Sequence, residues 1–348
     1  MSHRSPFRVL FDIGHPAHVH LFKNLARLLL ADGAKVLFTS REKEFETALI
    51  EKEGFDHVCF GKHYRTLPGK LFGMVRYDLA MLRTGLRFKP DLIVGHGTIY
   101  GAHAAPFLRA KCLAIEDTGN MEQVRLWRPF VDAILTPQVL DKDLGPKQVR
   151  YNSYHELAYL HPEFFRPDPS ILDWLKVASG EPYAIIRFVS WNATHDVGLK
   201  GLGREEKIEL VRSLSKRMRV FITAERAVSE DLQPFCLKIP PDRFHHALNY
   251  ASLVVTEGTT TGTEAGILGV PVVFVSTFKD PNLREMEGFG LVRNTETAKD
   301  AFEAVEGMLA QDRQVFRGRA EGFVASKENA TRFYHQFIRE RYMRAATR

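Results

Sequence analysis

Residues 254–273 read VVTEGTTTGTEAGILGVPVV. Val254, Val255 and Thr256 end an apolar run, Gly258 to Gly262 is a turn built of glycine and threonine, and Thr260–Leu268 reads as a helix before the apolar Val270–Val275. Strand, glycine-rich turn, helix and second strand in so short a span form the repeating unit of a parallel sheet. Free amides at the start of such a helix, with the hydroxyls of Thr259, Thr260 and Thr261 beside them, suit a phosphate or diphosphate. Gly258 and Gly262 allow close backbone approach. Glu264, one turn in, is placed to accept hydrogen bonds from vicinal hydroxyls such as those of a ribose. The competing reading is a turn that only caps its helix, with Glu264 solvated. No Gly-Lys-Ser/Thr follows, which excludes a Walker P-loop.

Working outward, the same alternation fills the second half of the chain: strands at Tyr183–Val189, Arg219–Thr223 and Leu253–Thr256, helices at Arg204–Lys216, Asp242–Tyr250 and Ala298–Leu309, and a terminal helix over Phe323–Tyr342. The first half has it too, with strands at Arg8–Ile13, Lys35–Thr39, His57–Phe60, Asp91–Gly95, Cys112–Glu116 and Ala133–Thr136 separated by helical patterns, the longest at Gly69–Leu86. Between Val149 and Pro182 the alternation stops, and Pro162, Pro167, Pro169 and Pro182 punctuate an aromatic-rich stretch. The expected organisation is an α/β domain over residues 1–150, a connection over 151–182, a second α/β domain over 183–325 and a terminal helix over 326–348.

Composition narrows the function class. The chain has 348 residues, 45% hydrophobic and 26% charged, as a folded two-domain protein requires. Cys59, Cys112 and Cys236 form no C-x-x-C pair, which argues against a disulfide framework or a cysteine zinc site and fits a reducing compartment. The net charge of +6 is concentrated: Lys62–Lys89 has seven bases and one acid, and Gln311–Arg348 nine bases and four acids. That leaves a mildly acidic remainder, unlike a nucleic-acid binder. Bases and apolar residues interleave over Lys62–Lys89, which suits a core helix with a cationic outer face, contact with an anionic membrane surface, or an acidic acceptor. No signal-peptide layout and no apolar run of about 20 residues is present, so a cytoplasmic protein is expected, with peripheral contact at the inner membrane face as the membrane option.

Three more strand ends carry polar chemistry. Asp12-Ile13-Gly14-His15-Pro16-Ala17-His18-Val19-His20 follows the first strand, where a histidine can serve as general base. His15, His18 and His20 sit too close along one turn to converge on one ion, so no metal is expected. Val94-Gly95-His96-Gly97-Thr98 and Ile115-Glu116-Asp117-Thr118-Gly119 bring His96, Thr98, Glu116 and Asp117 to the same sheet edge, where paired acids orient a base, bind sugar hydroxyls or only cap loops. Arg187 to Gly198 follows the first strand of the second half: Arg187 can pair with phosphate, and Ser190, Asn192 and His195 can contact phosphate or sugar.

Together these residues resemble the GT-B group of nucleotide-sugar enzymes. Tyr250–Val255, Gly258, Glu264-Ala265 and Leu268-Gly269-Val270-Pro271 are similar to the donor-binding strand–turn–helix of GT-B glycosyltransferases and of the non-hydrolysing UDP-N-acetylglucosamine 2-epimerases. Asp12–His20 with Arg41-Glu42-Lys43 resembles the domain of unknown function 354 family, regarded as GT-B-like and associated with surface polysaccharide pathways. The resemblance implies two Rossmann-like domains facing a central cleft. It implies a UDP-sugar as substrate, with no separate cofactor: Glu264 on the ribose, Gly258–Thr263 on the diphosphate, and the Arg243–Leu248 region with Phe244 on the base. Gly14-His15 matches the base position of several inverting transferases, with His18 as fallback. The epimerases carry an Asp where this sequence has Thr98, and Glu116 or Asp117 would have to substitute for it. The expected function is metal-independent glycosyl transfer from a nucleotide sugar to a glycan or lipid-linked acceptor. The alternatives are a UDP-sugar 2-epimerase or hydrolase, and a non-catalytic nucleotide-sugar binder or assembly partner.

Overall fold

The structure is a computed structural model and describes residues 5–62, 64, 67–189, 201–224 and 228–344. The chain divides into two compact units, Met1–Phe164 with Glu328–Arg348, and Phe165–Lys327.

The first unit opens with β1 (Arg8–Asp12), α1 (Pro16–Ala31), β2 (Lys35–Glu42), α2 (Glu46–Lys52), β3 (His57–Lys62) and α3 (Leu67–Phe88). It continues with β4 (Leu92–His96), α4 (Ile99–Leu108), β5 (Lys111–Ile115), α5 (Met121–Trp127), β6 (Ala133–Pro137), β7 (Gln148–Tyr151) and α6 (Leu157–Leu160). Among the described residues its seven strands are parallel, in the order β3-β2-β1-β4-β5-β6-β7. The central strands are buried along their length, as in Val9-Leu10-Phe11 and Leu92-Ile93-Val94, because helices cover both faces. Helix α1 starts where His15 Nδ1 accepts from the Ala17 amide and Pro16 takes a position that needs no N–H. It buries Val19, Phe22, Leu25, Ala26 and Leu29 along one face.

The second unit runs α7 (Ser170–Leu175), β8 (Tyr183–Phe188), α8 (Arg204–Ser215), β9 (Arg219–Ala224), α9 (Phe244–Tyr250), β10 (Leu253–Thr256) and α10 (Thr259–Ile267). It ends with β11 (Val272–Val275), α11 (Pro281–Gly288), β12 (Val292–Thr295), α12 (Ala298–Leu309) and α13 (Arg313–Ala325). Among the described residues the five strands are parallel, in the order β12-β11-β10-β8-β9. The chain then returns to the first unit as α14 (Ala330–Ile338).

Two α/β units with parallel sheets match the fold class expected from sequence. Strands β7 and β12 have no counterpart in the sequence reading. Both are edge strands, each with a single strand neighbour, and both are half exposed, so Gln148-Val149-Arg150-Tyr151 and Val292-Arg293-Asn294-Thr295 lack the apolar run that marks a central strand. The expected helix over Phe323–Tyr342 is two helices. Asn329 starts the second by accepting from the Arg332 amide at 3.1 Å.

In each sheet the strand order reverses once. In the first the reversal lies between β1 and β4, and in the second between β8 and β10. Open α/β sheets bind ligands outside the carboxyl ends of the strands at such a point. Asp12 to His18 and His96 to Thr98 therefore flank one switch point, and Val189 and Glu257 to Thr261 flank the other.

Candidate active site

The switch point of the first unit rests on a buried ion pair. Asp12 is 2% exposed, and its Oδ1 accepts from Arg41 Nη1 at 2.5 Å and Thr39 Oγ1 at 3.1 Å. Its Oδ2 accepts from Thr98 Oγ1 at 2.7 Å, and that hydroxyl in turn caps α4 by accepting from the Gly101 amide at 3.1 Å. The Arg41 guanidinium lies over the Tyr100 ring, 4.8 Å from its centroid. Thr98 is thus a bracing residue between β4, β1 and α4. Gly95 is needed for this approach, because a Cβ there would fall 2.6 Å from Thr98 Cβ.

Above this brace the structure gathers imidazoles around one carboxylate. His96 Nε2 lies 2.9 Å from Asp117 Oδ1, and His155 Nδ1 lies 2.9 Å from Asp117 Oδ2. The His96 ring is 4.6 Å from that of His18 and 5.3 Å, edge-on, from that of His155. Each member comes from the carboxyl end of a parallel strand or the segment just beyond it: β1 for His18, β4 for His96, β5 for Asp117 and β7 for His155.

Their environments push their protonation apart. Burial acts to lower His96, but the hydrogen bond and charge of Asp117, helped by Glu116, outweigh it and raise the group to about 9. Asp117 is held well below the usual carboxylate range: burial would raise it, and His155 and His96 together more than reverse that. His18 is driven well below 6.5, first by burial and then by the positive field of His96. At neutral pH a protonated His96 therefore lies beside an uncharged His18. Such a divergence of neighbouring groups is what acid–base chemistry requires.

The proton positions follow from the backbone. The Gly14 amide donates to His18 Nδ1 at 3.2 Å, which leaves the His18 ring proton on Nε2. The Ala17 amide does the same to His15 Nδ1 at 3.2 Å, and His15 Nε2 lies 3.8 Å from Glu44 at a side chain 45% exposed. Burial lowers His15 as well, against the pull of Glu44. Glu116 is differently employed. Its Oε1 accepts from the Thr118 amide at 2.8 Å, the Thr118 hydroxyl at 2.5 Å and the Gly119 amide at 2.9 Å, fixing the turn that presents Asp117.

Of the residues singled out from sequence, the structure brings His18 and Asp117 into one cluster with His96, places His15 at the N-cap of α1, and makes Glu116 a loop brace. His155 was absent from the sequence reading. The signal was there in Tyr154-His155-Glu156, but only recognition of β7 would have put it at the same edge. Its Nε2 is buried with no hydrogen-bond partner among the described residues.

His96, Asp117 and His155 are also a donor set for a divalent metal, with ligand atoms within 4.8 Å of one another. Their two 2.9 Å separations are those of hydrogen bonds, shorter than the about 3.3 Å between neighbouring ligands of one tetrahedral zinc.

In the second unit, α10 begins at Gly258 with no side-chain cap. A Cβ on Gly258 would meet Val189 Cγ2 at 3.1 Å, and one on Gly262 would meet Leu283 at 3.1 Å. Thr260 is exposed, Thr259 half-buried and Thr261 buried. Glu264 is buried, with Oε1 2.8 Å from His245 Nε2, so α9 orients it. Phe244, at the first position of α9, packs edge-on to His245. Arg187 lies in β8, paired in register with Thr256. Glu257 is also buried and accepts from the amides of Val189 at 3.0 Å and Leu202 at 2.9 Å and from Lys207. Ser190, Asn192 and His195 lie outside the described residues.

Known proteins share this fold at low identity. A UDP-GlcNAc 2-epimerase from Neisseria meningitidis bound to UDP-GlcNAc superposes with a TM-score of 0.70 at 14% identity, covering 96% of this chain and 100% of that one. The glycosyltransferase SnogD from Streptomyces nogalater does so with a TM-score of 0.60 at 15% identity, covering 94% and 97%. In sequence, an uncharacterized protein of Methanocaldococcus jannaschii is 22% identical over 280 residues, 76% of this chain and 80% of that protein. The family described as a protein of unknown function, DUF354, matches residues 7–284, and the chain belongs to it.

Proposed function

We propose that the protein is a nucleotide-sugar enzyme that transfers a sugar from a UDP-linked donor to a hydroxyl of a glycan or lipid-linked acceptor in surface polysaccharide synthesis. The observation that carries this reading is the pairing of a protonated His96 with an uncharged His18 at a sheet switch point. The second unit offers an uncapped, glycine-flanked helix N-terminus at its own switch point, suited to a diphosphate. Arg187 and the α10 amides take the diphosphate, Glu264 takes the ribose with His245 holding its carboxylate, and Phe244 contributes to the base site. His15 accepts the acceptor proton, exchanging its long Ala17 contact for the incoming hydroxyl, and His18 is the alternative base. His96, held protonated by Asp117, keeps the neighbouring His18 uncharged and able to accept a proton. No step draws on a metal ion.

A second reading is favoured by the same pair. Two adjacent groups, one protonated and one not, also suit removal and return of a proton on the sugar, as a 2-epimerase requires, or hydrolysis of the UDP-sugar. Incubation of the pure protein with UDP-N-acetylhexosamines, with and without lipid-linked and glycan acceptors, separates the readings. Product only in the presence of an acceptor supports transfer. A new UDP-sugar, or free UDP and sugar without acceptor, supports the second reading. UDP binding without turnover marks a non-catalytic binder, and absence of UDP binding in a thermal-shift series against ADP and GDP defeats all three.

A further inference from the structure

Helix α3 has two apolar faces, and among the described residues only one is buried by the fold. Gly73, Tyr77, Met81 and Gly85 recur every fourth residue and are buried, with Gly73 set against the Tyr64 ring and Gly85 against Leu108. The outward stripe carries Phe72, Val75, Leu79 and Leu86, which are 63%, 59%, 48% and 58% exposed in the whole chain. Arg76, Arg83 and Arg87 lie exposed beside them, Arg76 donating to the Tyr64 hydroxyl at 2.6 Å. The stripe runs about 21 Å along the helix. It contains no carboxylate, since Asp78, the one acid of α3, turns aside to meet His103 of α4 at 3.1 Å. A solvated helix face normally mixes charges of both signs and excludes large apolar groups.

We propose that this stripe docks the protein on the anionic surface of a phospholipid bilayer, with Phe72, Val75, Leu79 and Leu86 entering the headgroup–acyl boundary and the three arginines at the lipid phosphates. The arginine stems follow the apolar surface while their heads reach the anionic layer, the arrangement of a helix lying in a membrane interface. A second copy of the chain fits less well, because facing stripes would set arginine against arginine. No helix among the described residues is long and apolar enough to cross a membrane, so the contact is peripheral. This inference does not depend on the reaction proposed above.

The test is flotation of the full chain with phosphatidylcholine vesicles that do or do not contain phosphatidylglycerol. At least tenfold more protein is expected on the anionic vesicles, decreasing with added salt. Changing Arg76, Arg83 and Arg87 together to Gln is expected to lower partitioning on the order of a hundredfold, at roughly fivefold per arginine. Phe72→Ser with Leu79→Ser is expected to lower it at least tenfold with an unchanged melting curve, since both side chains are exposed. Equal partitioning on the two vesicle types overturns the proposal. So does unaltered binding by either variant, or a dimer in light scattering that Phe72→Ser with Leu79→Ser dissolves.

Discussion

Asp117 Oδ1 accepts a hydrogen bond from His96 Nε2 at 2.9 Å, and this contact sets the charge state of the imidazole. Asp117→Asn keeps the shape and removes the charge. Burial then dominates at His96, whose pKa is expected to fall from about 9 toward or below 6.5. Histidine ring resonances followed through a pH titration read this directly, and an unmoved His96 titration refutes the assignment. Turnover, once a substrate is in hand, is expected to drop on the order of a hundredfold.

The same pair makes stability depend on pH. His96 is raised in the folded state, so its contribution is complete below 6.5 and is lost as pH rises toward and through about 9. Asp117 is lowered, so its contribution is complete above 3.8 and is lost as pH falls through its depressed folded value. Both are present together between 3.8 and 6.5. The melting temperature is therefore expected to decline from pH 6.5 to 9, by an amount corresponding to at most about 3 kcal/mol shared between the partners. Calorimetric scans of the wild type against Asp117→Asn check this, and parallel pH profiles of the two proteins would exclude it.

Breaking the buried brace is expected to be more damaging than removing it. Asp12→Ala leaves the Arg41 guanidinium, 11% exposed, without its carboxylate, at a cost of about 3–5 kcal/mol. Adding Arg41→Met to the Asp12→Ala background is expected to recover part of that loss. Urea unfolding of the single and double variants measures it, and additive losses would show that the two side chains act independently.

Donor binding is expected to depend on the second unit alone. Gly258→Val inserts side-chain atoms against Val189 and over the first turn of α10, and Glu264→Gln removes the carboxylate charge while keeping a partner for His245. Each is expected to weaken UDP binding at least tenfold in calorimetry, whereas His96→Ala leaves it within a factor of about three. Loss of UDP binding in His96→Ala with retention in Gly258→Val would reverse the assignment of the two sites.

The fold was legible where strands are central, and the site where its residues follow such strands. Val254 to Val273 announces strand, turn, helix and strand because every strand residue is buried on both faces, so burial alone fixes the pattern. The edge strands β7 and β12 were not legible, since half their side chains meet water and their sequences obey weaker constraints. His15 and His18 could be found next to a glycine turn. The sequence also brings His96 and Asp117 to one sheet edge, but His155 joins Asp117 only through sheet order at the end of β7, whose strand the pattern does not show. Thr98 shows the opposite limit: the sequence presents it as a missing acid, and only the structure shows its hydroxyl engaged by Asp12 and the first turn of α4.

The return of α14 to the first unit has a consequence for synthesis. Tyr334 meets the Tyr151 hydroxyl at 2.5 Å, Thr331 donates to the Ala158 carbonyl at 2.8 Å, and His335 lies 2.8 Å from Asp32 at the end of α1. All three partners are translated before residues 165–327, and α14 is translated after them. Domains ordinarily complete in the order in which they are translated. Here residues 165–327 form one uninterrupted stretch that can close upon itself while the earlier unit still waits for its last helix. The unit that begins first is completed only after the second, and a chain truncated before Glu328 would carry a closed second unit and an open first one.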